Sequence, residues 1–195
     1  MTTTDARPSN TRPLTEADVY EAVRQFIFKY GLPGVPLANI YQGWQNRAAL
    51  PAGNEYAVMS ILWTAQHGTA VEDLVADDPD KSAPGALTVK ALLEIVVQVD
   101  FCSETDTARQ RADRLSIVAR SSVGVMHFND HGLSSLYADD VRDLSFVGPE
   151  DQFIRRCAAT LHLSTVNGVS ADFDYFDTVQ MERIENVDVH HPPLK

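Results

Sequence analysis

Lys90-Ala91-Leu92-Leu93-Glu94-Ile95-Val96-Val97-Gln98-Val99-Asp100-Phe101 is the stretch on which the fold turns. Leu93, Ile95, Val97, Val99 and Phe101 recur at every second position, and Glu94, Gln98 and Asp100 fall between them. A period of two sends these two sets to opposite faces of an extended chain. The run therefore predicts a half-buried strand in the middle of a sheet.

On its C-terminal side, Thr105 or Asp106 can cap a helix whose apolar stripe is Ala108, Ala112, Leu115, Val118 and Ala119. Arg109, Arg111, Asp113 and Arg114 lie mostly outside that stripe, and the helix is expected to close near residues 121–124. Beyond Gly132 come a short strand over 133–137, a turn through Ala138-Asp139-Asp140, and a long alternating strand over 152–165. In the latter, Phe153, Cys157, Ala159, Leu161 and Leu163 share one face. A last strand spans about 180–189, and Pro192-Pro193 stops it.

On the N-terminal side, residues 64–88 are rich in Gly, Pro, Asp and Ala and read as a long loop, mobile or ordered by a partner. Two strands over 37–42 and 56–63 precede it, joined by a turn at Pro51-Ala52-Gly53-Asn54. Earlier still, Thr15-Glu16-Ala17-Asp18 offers a capping box to a helix with Val19, Val23, Phe26, Ile27 and Tyr30 at helical spacing, ended at Gly31. Residues 1–14 hold almost nothing apolar and read as a flexible arm. The element order predicts an α+β fold: a mixed or mainly antiparallel β-sheet with two helices packed on one face, in a single domain over 15–195.

The 195 residues carry 16 Lys and Arg against 27 Asp and Glu, a formal net charge of −11. Such a surface repels phosphate backbones, which disfavours a nucleic-acid reader. The most apolar stretch, 91–99, contains Glu94 and Gln98 and is far shorter than the ~20 residues of a membrane span. The N-terminus shows no apolar segment of the signal-peptide kind, so the expectation is a soluble protein, made in the cytoplasm. Cys102 and Cys157 are too few for a disulfide framework and lack zinc-site spacing; both are expected as reduced, buried thiols.

Tyr137-Ala138-Asp139-Asp140 also stands at the catalytic turn of reverse transcriptases, where paired carboxylates hold magnesium. A polymerase needs a third distant carboxylate, a basic template channel and a longer chain, so an exposed acidic turn after an edge strand is the better reading. A small metal-dependent nuclease using Asp139 and Asp140 is a distant alternative. Asp172-Phe173-Asp174-Tyr175-Phe176-Asp177 alternates carboxylates but lacks the central glycine and terminal glutamate of an EF-hand, and reads as a turn that anchors its rings. His190 and His191 are adjacent, so on a strand they point to opposite faces and cannot easily share an ion. No phosphate loop, nucleophile elbow or helix-borne His pair is present, and the residues give no reason to expect an enzyme, a cofactor or a metal.

A set of polar and aromatic segments remains: Tyr41-Gln42-Gly43-Trp44-Gln45-Asn46-Arg47, Leu50-Pro51-Ala52-Gly53 with Glu55-Tyr56, Val97-Gln98-Val99-Asp100-Phe101, Leu136-Tyr137-Ala138-Asp139-Asp140, Gln152-Phe153, and Val187-Asp188-Val189 before Pro192-Pro193. In that order the chain resembles the neck or tail terminator family of tailed bacteriophages and prophages, over roughly residues 19–193. It departs from the family pattern at Phe101-Cys102-Ser103 and at Arg155-Arg156-Cys157-Ala158.

The resemblance implies a non-enzymatic structural protein of the virion neck, assembled in the host bacterial cytoplasm as a homo-hexameric ring. Such a ring ends the tail tube, meets the tail tube protein and the head-tail connector or stopper, and lets viral DNA pass without specific binding. The alternative is another connector component, a stopper or tail-completion protein. Expected subunit or partner contacts are Trp44, Gln45, Asn46, Arg47, Tyr137, Asp139 and Asp140, with Trp44 open to a core role instead. Expected acids facing the lumen are Asp172, Asp174, Asp177, Glu182, Glu185 and Asp188.

Overall fold

The computed structural model describes residues 13–43, 55–75, 86–147 and 153–172. In it the alternating run 90–101 lies inside β3 (Ala86–Ser103), between two strands of similar length, β2 (Glu55–Val75) and β7 (Phe153–Asp172). β3 pairs antiparallel with both. β1 (Ile40–Gln42) lies on the outer edge of β2 and runs parallel to it. β4 (Ser134–Ala138), β5 (Arg142–Asp143) and β6 (Phe146–Val147) pair antiparallel along β7. Among the described residues the fold is thus α+β, with three helices and a mixed sheet of seven strands.

The helices are α1 (Glu16–Phe26), extended by a π-turn over Ile27–Gly31, α2 (Thr107–Ala119) and α3 (Ser122–Asp130). Thr15 caps α1 through the expected box: its hydroxyl accepts from the Asp18 backbone N–H, and its own N–H donates to the Asp18 carboxylate at 2.8 Å. The alternation of β3 decides what the helices cover. Ile95, Val97, Val99 and Phe101 stand opposite Leu163, Leu161, Ala159 and Cys157 of β7, and all are buried in one core with Phe26, Ala112, Leu115 and Phe128. Each fully buried large side chain there is worth about 1.5–3 kcal/mol of transfer free energy.

Several expectations change. The long loop over 64–88 is not found: residues 64–75 continue β2 and residues 86–88 begin β3, while 76–85 fall outside the described residues. This part of β2 is open on both faces, so it carries no alternation by which a strand is recognised. β1 and β2 run parallel, so they are not the two arms of one hairpin, and the turn expected at residues 51–54 lies outside the described residues. The second helix stops at Ala119 and a third begins at Ser122: the Ser121 N–H reaches back only three residues, to the Val118 carbonyl at 3.0 Å, and α3 buries only Gly124 and Phe128, four apart. Val123, Val125 and Met126 are exposed on α3, which hides its stripe from the sequence. Phe153 is exposed rather than sharing the core with Cys157. Leu14, expected at the end of a loose arm, packs on the core and donates its N–H to Asn167 Oδ1 at 2.7 Å. The last expected strand, 180–189, lies outside the described residues.

Gly124 marks a close approach of α3 to the end of α2. A Cβ there would sit 2.6 Å from the Val118 carbonyl oxygen and 2.7 Å from that of Ala119, both backbone atoms that cannot swing away. Gly124→Ala is expected to push α3 off α2 and cost about 1–3 kcal/mol, read as a lower urea midpoint at unchanged slope.

Candidate assembly surface

The helices cover one face of the sheet, and the even-numbered residues of β3 point to the other. A bulge at Leu62, between the pairs Ile61↔Val97 and Trp63↔Val96, reverses the alternation of β2, so Trp63 and His67 join this second face. From β7 come His162, opposite Val96, and Ser164, opposite Glu94; from β4 comes Tyr137, opposite His162. The result is a polar knot around Glu94. Its Oε1 lies 2.7 Å from His162 Nδ1, and its Oε2 contacts His67 Nε2. Tyr137 stacks on the His162 ring with centroids 4.0 Å apart, and Trp63 meets the same ring edge-on at 6.4 Å.

Glu94 is buried, and the two imidazoles, His162 first and His67 second, hold its carboxyl below the ordinary glutamate value. A depressed carboxyl stabilises the fold above its unfolded value and loses that contribution as pH falls through its folded value. The gap in stability between the wild-type chain and Glu94→Gln is accordingly expected to shrink on acidification below about pH 4.5. Urea midpoints at stepped pH check this, and a gap that widens on acidification contradicts it.

A second cluster on this face joins β3 to β7. Asp100 is buried, accepts from Arg156 Nη2 at 2.9 Å, and takes both of its oxygens to within 3.0 Å of Gln98 Nε2. Next to it burial pushes the Tyr56 phenol up to about 12, with Cys102 as the next cause. Cys102 and Cys157 are both buried free thiols, as expected, and sit on opposite faces of the sheet, Cys102 across from Arg156 and Cys157 across from Phe101.

The expected contact residues divide. Tyr137 is half exposed beside the polar knot. Asp139 donates its backbone N–H to the Thr160 carbonyl at 2.9 Å and turns its carboxylate to His162 Nε2 at 3.4 Å. Asp140 is open to solvent and faces Arg120 at 3.2 Å, while Arg120 Nε donates to the Ala138 carbonyl at 3.0 Å. The two acids thus address different partners. Asp172 ends β7 opposite Ala86. Trp44, Gln45, Asn46, Arg47, Asp174, Asp177, Glu182, Glu185 and Asp188 lie outside the described residues. Sequence reasoning did not single out Trp63, His67, Glu94 or His162 as a group; Glu94 inside an apolar run was the one available signal.

Beyond the helices the three long strands continue as an arm. No described side chain in residues 60–74, 86–93 or 166–171 is buried. Among the described residues no group of three or more His, Cys, Asp or Glu is placed to hold a metal ion, and no helix is long and apolar enough to cross a membrane. No curated protein matches the chain. A family model described as phage neck terminator protein matches residues 17–193, which takes in every described helix except the first residue of α1 and every described strand. With a match of that extent, the chain belongs to the phage neck terminator protein family.

Proposed function

We propose that the chain forms a homo-hexameric ring that ends the tail tube, joins it to the head-tail connector and lets the genome through. Family membership gives the coarser part: a structural protein of the phage neck that works with other head-tail proteins of the virion. The observation that supports the ring is the three-stranded arm, in which no described side chain over residues 60–74, 86–93 and 166–171 is buried within the subunit, so that much of its surface is offered to neighbours. Trp44, Gln45, Asn46, Arg47, Tyr137, Asp139 and Asp140 are the proposed contacts to the next subunit or to the tube and connector.

Six copies carry six times −11, or about −66 formal charges. We place Asp172, Asp174, Asp177, Glu182, Glu185 and Asp188 on the channel wall, where carboxylates repel phosphates and keep DNA from sticking. Electron microscopy of the parent particle tests the assignment. Six-fold density of this chain capping the tube is the expected result; density between the portal adaptor and the terminator would make it a stopper instead. In solution the assembled ring should show no sub-micromolar, salt-sensitive binding of duplex DNA. Asp139→Asn/Asp140→Asn should keep the fold and weaken assembly, whereas magnesium-dependent nucleic-acid cleavage lost in that variant would make the chain a nuclease.

A further inference from the structure

Among the described residues, two strand edges of the arm lack a partner strand in the same subunit. On one side β1 covers β2 only at residues 57–59, which leaves residues 60–75 without a described strand on that edge. On the other, β4 reaches β7 only as far as Ser164, which leaves residues 165–172 without a described strand on that edge. Folded proteins guard such edges with charges or proline. Here such guards are few: residues 60–75 hold two charges, Glu72 and Asp73, and an irregularity between His67 and Val71, residues 165–172 hold Asp172 alone, and neither edge holds a Pro. Both carry exposed valines, Val71 at 65% and Val169 at 71%.

The directions of the two edges match. β2 and β7 each run antiparallel to β3, so they run the same way. When copies stand side by side around one axis, the β7 edge of one therefore meets the β2 edge of the next in parallel. β2 already accepts a parallel partner, β1, on that same edge, and an incoming strand would continue the line that β1 begins. Eight residues of ladder at ~3.3 Å each give about 26 Å of contact.

We infer that the open edge of β7 (165–172) pairs in parallel with the open edge of β2 (60–75) in a second copy of the chain, so that the arms form one continuous sheet through the assembly. The inference rests on the ring reading and names the surfaces that close it. The interface is heterologous: each copy uses two different edges, and repetition closes a cycle. The sparsely guarded edges are then sites of association and are covered in the finished particle.

The test uses two variants of the full chain, Val166→Lys/Val169→Lys on β7 and Val71→Lys/Leu74→Lys on β2. Each keeps one intact edge. Each alone should run as a monomer under conditions where the wild type assembles, and an equimolar mixture should give a dimer of about 43 kDa, twice 21.5 kDa, that grows no further. A cooperative melt reports that each variant is folded. As a readout closer to the wild type, Val71→Cys and Val169→Cys chains are mixed and treated with a short bis-maleimide. Cross-linked dimers in the mixture and none with either chain alone is the expected pattern; the native thiols are buried.

Assembly by either lysine variant to wild-type size, or cross-linking of Val71→Cys or Val169→Cys with itself, overturns the edge pairing. Wild-type rings that both lysine variants still form would overturn the edge pairing and leave the ring reading standing. A wild-type chain that forms no ring at any concentration overturns both.

Discussion

Phe101→Ala is expected to lower the stability of the isolated chain by about 3–5 kcal/mol, a large fraction of what a domain of this size possesses. Phe101 is fully buried at the helix-facing end of β3. Its ring touches the place where the π-turn ends: a Cβ on Gly31 would come within 2.8 Å of Phe101 Cζ and 3.3 Å of Leu115 Cδ1. The ring therefore fills the junction of the sheet, the end of α1 and the middle of α2. Truncation leaves a cavity bounded by backbone on one side, which cannot collapse to fill it. Urea unfolding measures the loss, and a change under about 1 kcal/mol would mean that the junction is loosely packed.

Arg156→Ala is expected to cost about 2–3 kcal/mol, because it strands the buried Asp100 carboxylate. The side chain of Asp100 is 6% exposed and that of Arg156 36%, so water screens part of the loss and the figure stays at the lower end for a broken buried pair. Gln98 Nε2 remains as a partial substitute donor. Replacing both members, Asp100→Asn with Arg156→Met, should recover much of the loss, since no charge is left without a partner. A double-mutant cycle from urea midpoints reads the coupling, and purely additive effects would show that the pair does not act as one.

The sheet's centre was legible because one face of β3 packs apolar side chains under the helices while the other buries a mostly polar set, so hydrophobicity alternates although both faces are covered: Ile95, Val97, Val99 and Phe101 against Glu94, Gln98 and Asp100. The cap of α1 was legible for a local reason, since Thr15 and Asp18 act within one turn, whereas Asp106 takes the N-cap position of α2 without a side-chain cap bond. The arm was not. Its residues are exposed on both faces, and a strand with no buried side has no period to betray it. The polar knot was hidden by the bulge at Leu62, because alternation carried through from Met59 assigns Trp63 and His67 to the wrong face. The neck role was legible only as a resemblance in the order of several motifs, and the family match over residues 17–193 carries it. Composition and charge excluded classes without naming one.

The π-turn at the end of α1 has the geometry of a one-residue insertion. The Leu32 N–H reaches back five residues to the Ile27 carbonyl at 2.8 Å, where an α-turn would reach back four. Within the turn Ile27 and Gly31 are buried, while Phe28 is 44% exposed and bulges outward. Removing Phe28 would let the same start and end points be joined by an ordinary turn, with Ile27 and Gly31 still on the core. Deletion of Phe28 is therefore expected to leave an ordinary α-turn and an undisturbed sheet, read as a cooperative urea transition close to that of the wild type.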